Sequence, residues 1–360
     1  MKKLTLGTVA LVALSGCSEQ HATKEDTRRV LLKGLGEQIF VPRYVEFEER
    51  ADELRARGEA FCEDPNDEAL GAVRDAWWAA RAPWKRNETV AFGPYAPPDS
   101  FGAAIDFWPC RAASADAVLA GTEPIDASLL GAAAKGLPVF EYLIYDEARD
   151  VVAVAAEEPR FCEYLGAIGA HLAEDATSLR AAWDPAEGDF LGELVEAGRT
   201  SKTYDSIEMA LGEVVNRLVY DLEATRGEKL GVPLGNKTGG TPQPDSVESR
   251  FSGRSLEDAR DSLRGVEEVV FGAAVEKPAS LGGYLEGIGR EDLVPELRAA
   301  FDAAYAALDA VPEPLAEAVV SSPESVQAAI DALGAVQVLI QADVINAMGL
   351  MLTFTDADGD

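Results

Sequence analysis

Residues 74–109 read RDAWWAARAPWKRNETVAFGPYAPPDSFGAAIDFWP, and the spacing in the first half of that stretch sets the fold class. Trp77, Arg81, Trp84 and Glu88 follow one another at intervals of four, three and four. At about 100° per residue they fall in a stripe about 60° wide on one side of a helix. Two indoles with an Arg and a Glu among them are costly to bury unless the charges pair or meet a ligand. The plain alternative is that the two Trp are core and the Arg and Glu pair along the helix.

The same period runs outward from this segment through nearly the whole chain. Ala-rich amphipathic runs occur at 28–58, 66–88, 113–121, 126–147, 159–183, 189–226, 255–275, 280–287, 292–309, 311–320 and 323–350, separated by Gly, Pro or Asp clusters. No series of alternating strands competes with them. Helix starts are marked by Ser255 with Asp258 as a capping box, by Ser322-Pro323, and by Pro138 in Gly136-Leu137-Pro138. These signals predict an all-α protein. WDPAEGD at 183–189 divides the helices into two sets, and short loops within each set favour antiparallel neighbours. The expectation is two packed helical domains, 28–185 and 186–360. The longest irregular stretch, 227–255, reads as a lid or a domain-crossing loop.

The first residues read as a processing segment. Lys2 and Lys3 precede an apolar run at 4–14, and Leu14-Ser15-Gly16-Cys17 has the form of a bacterial lipobox. Residues 1–16 are then a lipoprotein signal peptide, and Cys17 is the lipidated residue. Residues 17–27 form a polar tether. The run is too short to span a bilayer as a mature helix. Acyl chains on Cys17 anchor the chain to a membrane, and Ser18, where an Asp would favour the inner membrane, points to the outer membrane with the body facing the periplasm. The alternative is an ordinary secretory signal with a chance Cys.

A formal charge of −31 repels phosphate backbones, which excludes nucleic acid as a partner. Acidity of this kind could draw cations, but a solvated acidic surface is the preferred account of it. Cys62, Cys110 and Cys162 remain, none in a metal-spaced pair. In an oxidising compartment one disulfide and one leftover thiol follow, with three pairings open.

WAARAPW at 78–84, FGP at 92–94 and IDFWP at 105–109 resemble the imelysin family, also called the M75 peptidase or insulin-cleaving-peptidase-like family. GLPVFEYLIYD at 136–146, RFCEYLGAI at 160–168, SRFSGRSLEDARDSLRGVEEVVFG at 249–272 and the terminal TFTDADGD agree with it, in the family's order. The resemblance implies two related four-helix-bundle-like domains and a role in iron or haem acquisition.

Members regarded as metallopeptidases carry Gly-x-His-x-x-Glu, in which His and Glu three apart on a helix share a metal. In that place this chain has Gly136, Pro138 and Glu141. Proline offers no ligand, and Glu141 alone cannot hold a catalytic zinc, which takes three protein ligands. A literal Gly-x-His-x-x-Glu occurs later, at Gly169, His171 and Glu174, in a different context. A hairpin of helices 138–147 and 159–183 turning near 153 would set residue 141 opposite 165, with His171 two turns further on. His21, the other histidine, lies in the tether. The tail at 356–360 has the start of a calcium-loop look, but the chain ends before a twelfth-position Glu.

Matching position by position, the resemblance implies a ligand site of Arg81, Trp84, Glu88, Asp106, Trp108 and Glu141, with Ser252, Ser255 and Asp258 from the second domain. Arg and indole groups suit an anionic or planar ligand, whereas Glu88, Asp106 and Glu141 suit a hard cation. The structural readings are a capping box for Ser255 and Asp258 and a core aromatic for Trp108. No nucleophile elbow, HExxH or dinucleotide fingerprint is present. The expected function is a cell-envelope binding protein without peptidase activity, its ligand a divalent metal, iron or haem and its partners uptake components. Two alternatives stand beside it. One is a metal-dependent peptidase using Glu141 with His171 and Glu174 or with Glu88, and the other is a purely structural envelope protein.

Overall fold

The computed structural model describes residues 23–352, and the signal, Cys17, most of the tether and the terminal acidic tail lie outside those residues. Helix follows helix. α1 (Lys24–Leu35) is opened by Thr23 and Asp26 in a reciprocal capping box and passes through a π turn, Gly36–Phe40, into α2 (Val41–Glu63). Asn66 caps α3 (Asp67–Arg86), which carries the Trp stripe and passes into a 3₁₀ turn, Asn87–Val90. Short elements α4 (Phe101–Ile105) and α5 (Ala112–Leu119) lead to α6 (Gly136–Tyr145), α7 (Val151–Glu157) and α8 (Pro159–Trp183).

The later part begins with α9 (Phe190–Val195) and α10 (Ile207–Ala224). A π turn, Thr225–Gly231, and the single turn α11 (Val232–Leu234) precede α12 (Ser255–Phe271). Then come α13 (Leu281–Gly287), α14 (Leu293–Asp309), α15 (Leu315–Ser321), α16 (Pro323–Val338), a π turn at Leu339–Val344 and α17 (Ile345–Met348). Among the described residues there is no strand. The all-α reading is correct.

α2 lies between α3 and α8, and α6 packs on both of those neighbours. In the later part α10 and α14 pack on α16, and α12 on α10, α13 and α14. α3 against α12 is the principal contact between the two sets, while α1 reaches over to α9 and α10. Trp183 is fully buried among Phe40, Tyr44, Phe92 and Phe190. Cys62 and Cys162 form a disulfide between the end of α2 and the start of α8, leaving Cys110 as the free thiol among the described residues. Pro323–Met348 is the one helical run among the described residues long and apolar enough to cross a membrane, yet half of it is buried in the fold, where Val326, Leu333 and Val336 meet the core.

Three boundaries differ from expectation, each for a local reason. The run at 126–147 is two 3₁₀ turns followed by α6, because the chain turns at Gly136 with φ of 79° and a Cβ there would meet the Ile105 carbonyl at 2.4 Å. The run at 189–226 divides into α9 and α10, since Gly198 has a positive φ and Ser206 caps a new helix. The connection expected to turn near 153 instead contains a helix, α7, capped by Asp150.

Candidate functional site

α3 supplies the centre of the site. Its interior face carries Trp77, Arg81 and Trp84, all fully buried, and Lys85, one residue beyond Trp84, is buried with them. Trp77 Nε1 donates to the Leu137 carbonyl at 3.0 Å, which fixes the start of α6 against α3. Trp84 Nε1 donates to Asp106 at 2.7 Å and its ring stacks on Tyr95, 5.6 Å between centroids. The aromatic neighbours remove water from the charges between them.

Arg81 is the hub. Its guanidinium lies 2.7 Å from Asp106, 2.8 Å from Glu248 and 3.4 Å from Asp258, with the Trp77 ring 6.0 Å away. Burial works against its charge, but the carboxylates of Asp106, Asp258 and Glu248 outweigh burial and hold it protonated. The Asp106 contact is close without hydrogen-bond alignment, so Arg81 Nη1 and Asp106 Oδ1 remain buried atoms lacking an aligned partner.

Around this hub the structure brings together most of the expected residues. Glu88, in the 3₁₀ turn after α3, takes Lys85 Nζ at 2.5 Å and Lys229 Nζ at 2.5 Å and accepts from the Ser262 hydroxyl at 3.0 Å. Burial raises its pKa, yet Lys229 and Lys85 overcome that and leave it lowered. Glu248 accepts from Arg81 and Lys85 and lies 3.6 Å from Lys229. Burial opposes its ionisation, but these three cations hold it well below the usual carboxylate range. Asp258 accepts from Ser249 Oγ at 2.5 Å and from Arg254, whose other nitrogen reaches Asp261 at 2.6 Å.

Glu141, on α6, accepts both the backbone N–H of Ser252 at 2.8 Å and its hydroxyl at 2.7 Å. It is 2% exposed, and burial pushes its pKa up to about 7 against the opposing pull of Ser252 and Arg81. With Arg81, Trp108, Cys110 and Pro138 it lines a cavity of about 20 Å³, room for one water-sized guest. Trp108 Nε1 is buried without a partner. Trp108 also lines a larger cavity of about 490 Å³, shared by Glu88, Asp106, Asp221, Lys229 and Glu248.

Two expectations fail here. Ser255 and Asp258 are not a capping box: the residue before α12 is Arg254, Ser255 Oγ donates to the Glu248 carbonyl, and Asp258 is occupied by Arg81, Ser249 and Arg254. His171 and Glu174 do not join Glu141. The His171 ring faces Lys135 Nζ at 2.7 Å and Asp175 at 3.5 Å, and neither His171 nor Glu174 lines the Glu141 cavity. The 227–255 segment, read as a lid or a domain-crossing loop, is exposed at 236–241 but buries Val247, Glu248, Ser249, Arg254 and Ser255 in the site, where Glu248 meets Arg81 of α3.

Sequence reading missed Lys85, Asp221, Lys229, Ser249 and Glu248. Lys85 was findable, being four residues after Arg81 on the same helix. Glu248 and Lys229 sit in or beside the irregular segment and had no period to mark them.

A family model described as Imelysin matches residues 40–342, and one for a prokaryotic membrane lipoprotein lipid attachment site matches residues 1–18. Iron-regulated protein A of Synechococcus elongatus is 29% identical over 338 residues, covering 92% of this chain and 88% of that protein. Among solved structures, a protein from Parabacteroides distasonis described as an iron-regulated protein A precursor superposes with a TM-score of 0.77 at 18% identity, covering 92% of this chain and 97% of that one. An imelysin-like protein from Psychrobacter arcticum gives 0.74 at 19% identity, covering 93% and 99%. At these identities the two structures speak for the fold.

Proposed function

The chain belongs to the imelysin family and carries a lipoprotein attachment site, and from that premise we propose that it is a lipid-anchored binding protein of the cell envelope that serves iron or haem acquisition without cutting peptides. The carrying observation is the state of Glu141. The residue three before it is Pro138, its Oε1 is taken by Ser252, and the Arg81 cation shares its cavity. Among the described residues Glu141 belongs to no group of three His, Cys, Asp or Glu side chains close enough to share one ion. A catalytic zinc does not fit such surroundings, because it takes three protein ligands and an adjacent guanidinium repels it.

What remains suits binding. Aromatic walls, a central Arg and several carboxylates converge beside a cavity whose volume falls in the range of ligand pockets. The iron link is supported by the name of the Synechococcus relative, iron-regulated protein A. Ser18 after Cys17 supports the outer membrane, with the body facing the periplasm. The division into 28–185 and 186–360 would put this cleft near the junction of two bundles, a usual place for a ligand site.

Purified protein supplied with Zn²⁺ is expected to leave an unfolded peptide intact. Zinc-dependent cleavage that disappears in Glu141→Ala would overturn the binding reading. A deletion strain is expected to grow more slowly when iron or haem is limiting, and equal growth would remove the iron link.

A further inference from the structure

The ion network leaves one carboxylate out. Asp221, on α10, is 3% exposed, its Oδ2 has no hydrogen-bond partner, and among the described residues no Lys or Arg forms an ion pair with it. It lines the larger cavity together with Glu88, Asp106 and Glu248. A buried acid without a partner is costly, and a natural fold retains one where something else completes it. The three neighbours are already grouped: one oxygen from each of Glu88, Asp106 and Glu248 lies within 4.8 Å of the others. Neither His nor Cys lines this cavity, so the charged donors are all oxygens.

We propose that Glu88, Asp106, Asp221 and Glu248 form a binding site for a hard, oxygen-seeking cation, whose entry displaces the Lys229 ammonium now bridging Glu88 and Glu248. The proposal rests on the binding reading above and gives its ligand a chemical class and a place. Carboxylate oxygens without nitrogen or sulfur favour ions such as Mn²⁺, Mg²⁺, Ca²⁺ or Fe³⁺ over Zn²⁺ or Cu²⁺. The cavity is wide enough for such an ion to keep part of its water. The site is separate from Glu141, which lines the smaller cavity.

Lys229 is the cation placed to move. Lys85 stands on the regular α3 and is fully buried, whereas Lys229 is carried by the π turn Thr225–Gly231 and its side chain is 11% exposed. Single π turns within helices occur often at functional positions, where the backbone has slack that a regular helix lacks. The four carboxylates share this cavity with Lys229 and Arg217, and an entering divalent ion takes the place of one ammonium among them.

The test is titration of the metal-free full chain with Mn²⁺, followed by electron paramagnetic resonance. One bound Mn²⁺ per chain is expected, weakened about tenfold or more by Asp221→Asn, which keeps the shape and removes the charge. Lys229→Met is expected to tighten binding, a direction that a folding defect cannot imitate. His171→Ala, which does not line the cavity, leaves it unchanged. Absence of bound Mn²⁺, or binding indifferent to Asp221→Asn, overturns the proposal. Loss confined to Glu141→Gln also overturns it while leaving the binding reading intact, since that reading fails on peptide cleavage.

Discussion

Glu141 shows how a single side chain carries both the energetics and the chemistry of the site. Its pKa in the folded chain, about 7, lies above the ordinary 4.5, so the neutral form is favoured by folding. Its contribution to stability is therefore fully present below the ordinary carboxylate pKa and is lost as pH rises through about 7. Glu141→Gln, which keeps the acceptor for Ser252, is expected to be about 1–3 kcal/mol more stable than the parent at pH 8 and nearly equal at pH 4, read from urea unfolding at the two pH values. Arg81 has the opposite character. Arg81→Met leaves Asp106, Glu248 and Asp258 short of their shared cation, and a loss of about 3–5 kcal/mol is expected in the same assay. Both residues, with Trp84, Glu88 and Asp106, were legible from spacing and family resemblance. Asp221 was not, because an acid on an amphipathic helix looks like any solvated one until its neighbours are known.

At the scale of elements, the site depends on how closely α12 approaches α3. A Cβ on Gly265 would lie 2.5 Å from the Arg86 carbonyl oxygen and 2.9 Å from its Cα, while the Gly265 carbonyl accepts from Arg43 at 2.9 Å. Gly265→Ala must push the two helices apart and is expected to lower stability by about 1–3 kcal/mol, visible as a reduced denaturant midpoint. The loosened junction should also weaken any ligand held between Glu88 and Glu248. Most helices could be read from the sequence because their apolar period and caps are local. Ser255 and Asp258 were misread for an instructive reason. The Ser-x-x-Asp pattern is a cap when nothing else competes, but here Arg81, Ser249 and Arg254 offer Asp258 stronger, charge-assisted partners.

For the whole molecule, the Cys62–Cys162 disulfide closes a loop spanning 100 residues that contains α3, α6 and the first-half lining of both cavities, from Trp77 to Glu141. Replacing both cysteines by Ser is expected to cost about 2–5 kcal/mol and to lower the thermal midpoint, while Cys110→Ser should leave it nearly unchanged. What the sequence by itself determined is what local rules and one-dimensional patterns can encode: an all-α chain, a lipidation signal, the family, and a stripe on α3 destined to be buried. Which thiols pair, that Lys85 and Lys229 bridge Glu88 and Glu248, that Glu141 meets Ser252 and not His171, and that Asp221 stays unpartnered were decided only by the tertiary structure. The reason is physical. A charge on a helix is solvated or buried according to what another helix, more than a hundred residues away in the chain, places against it, and the strength of that pairing is set by the water the packing removes.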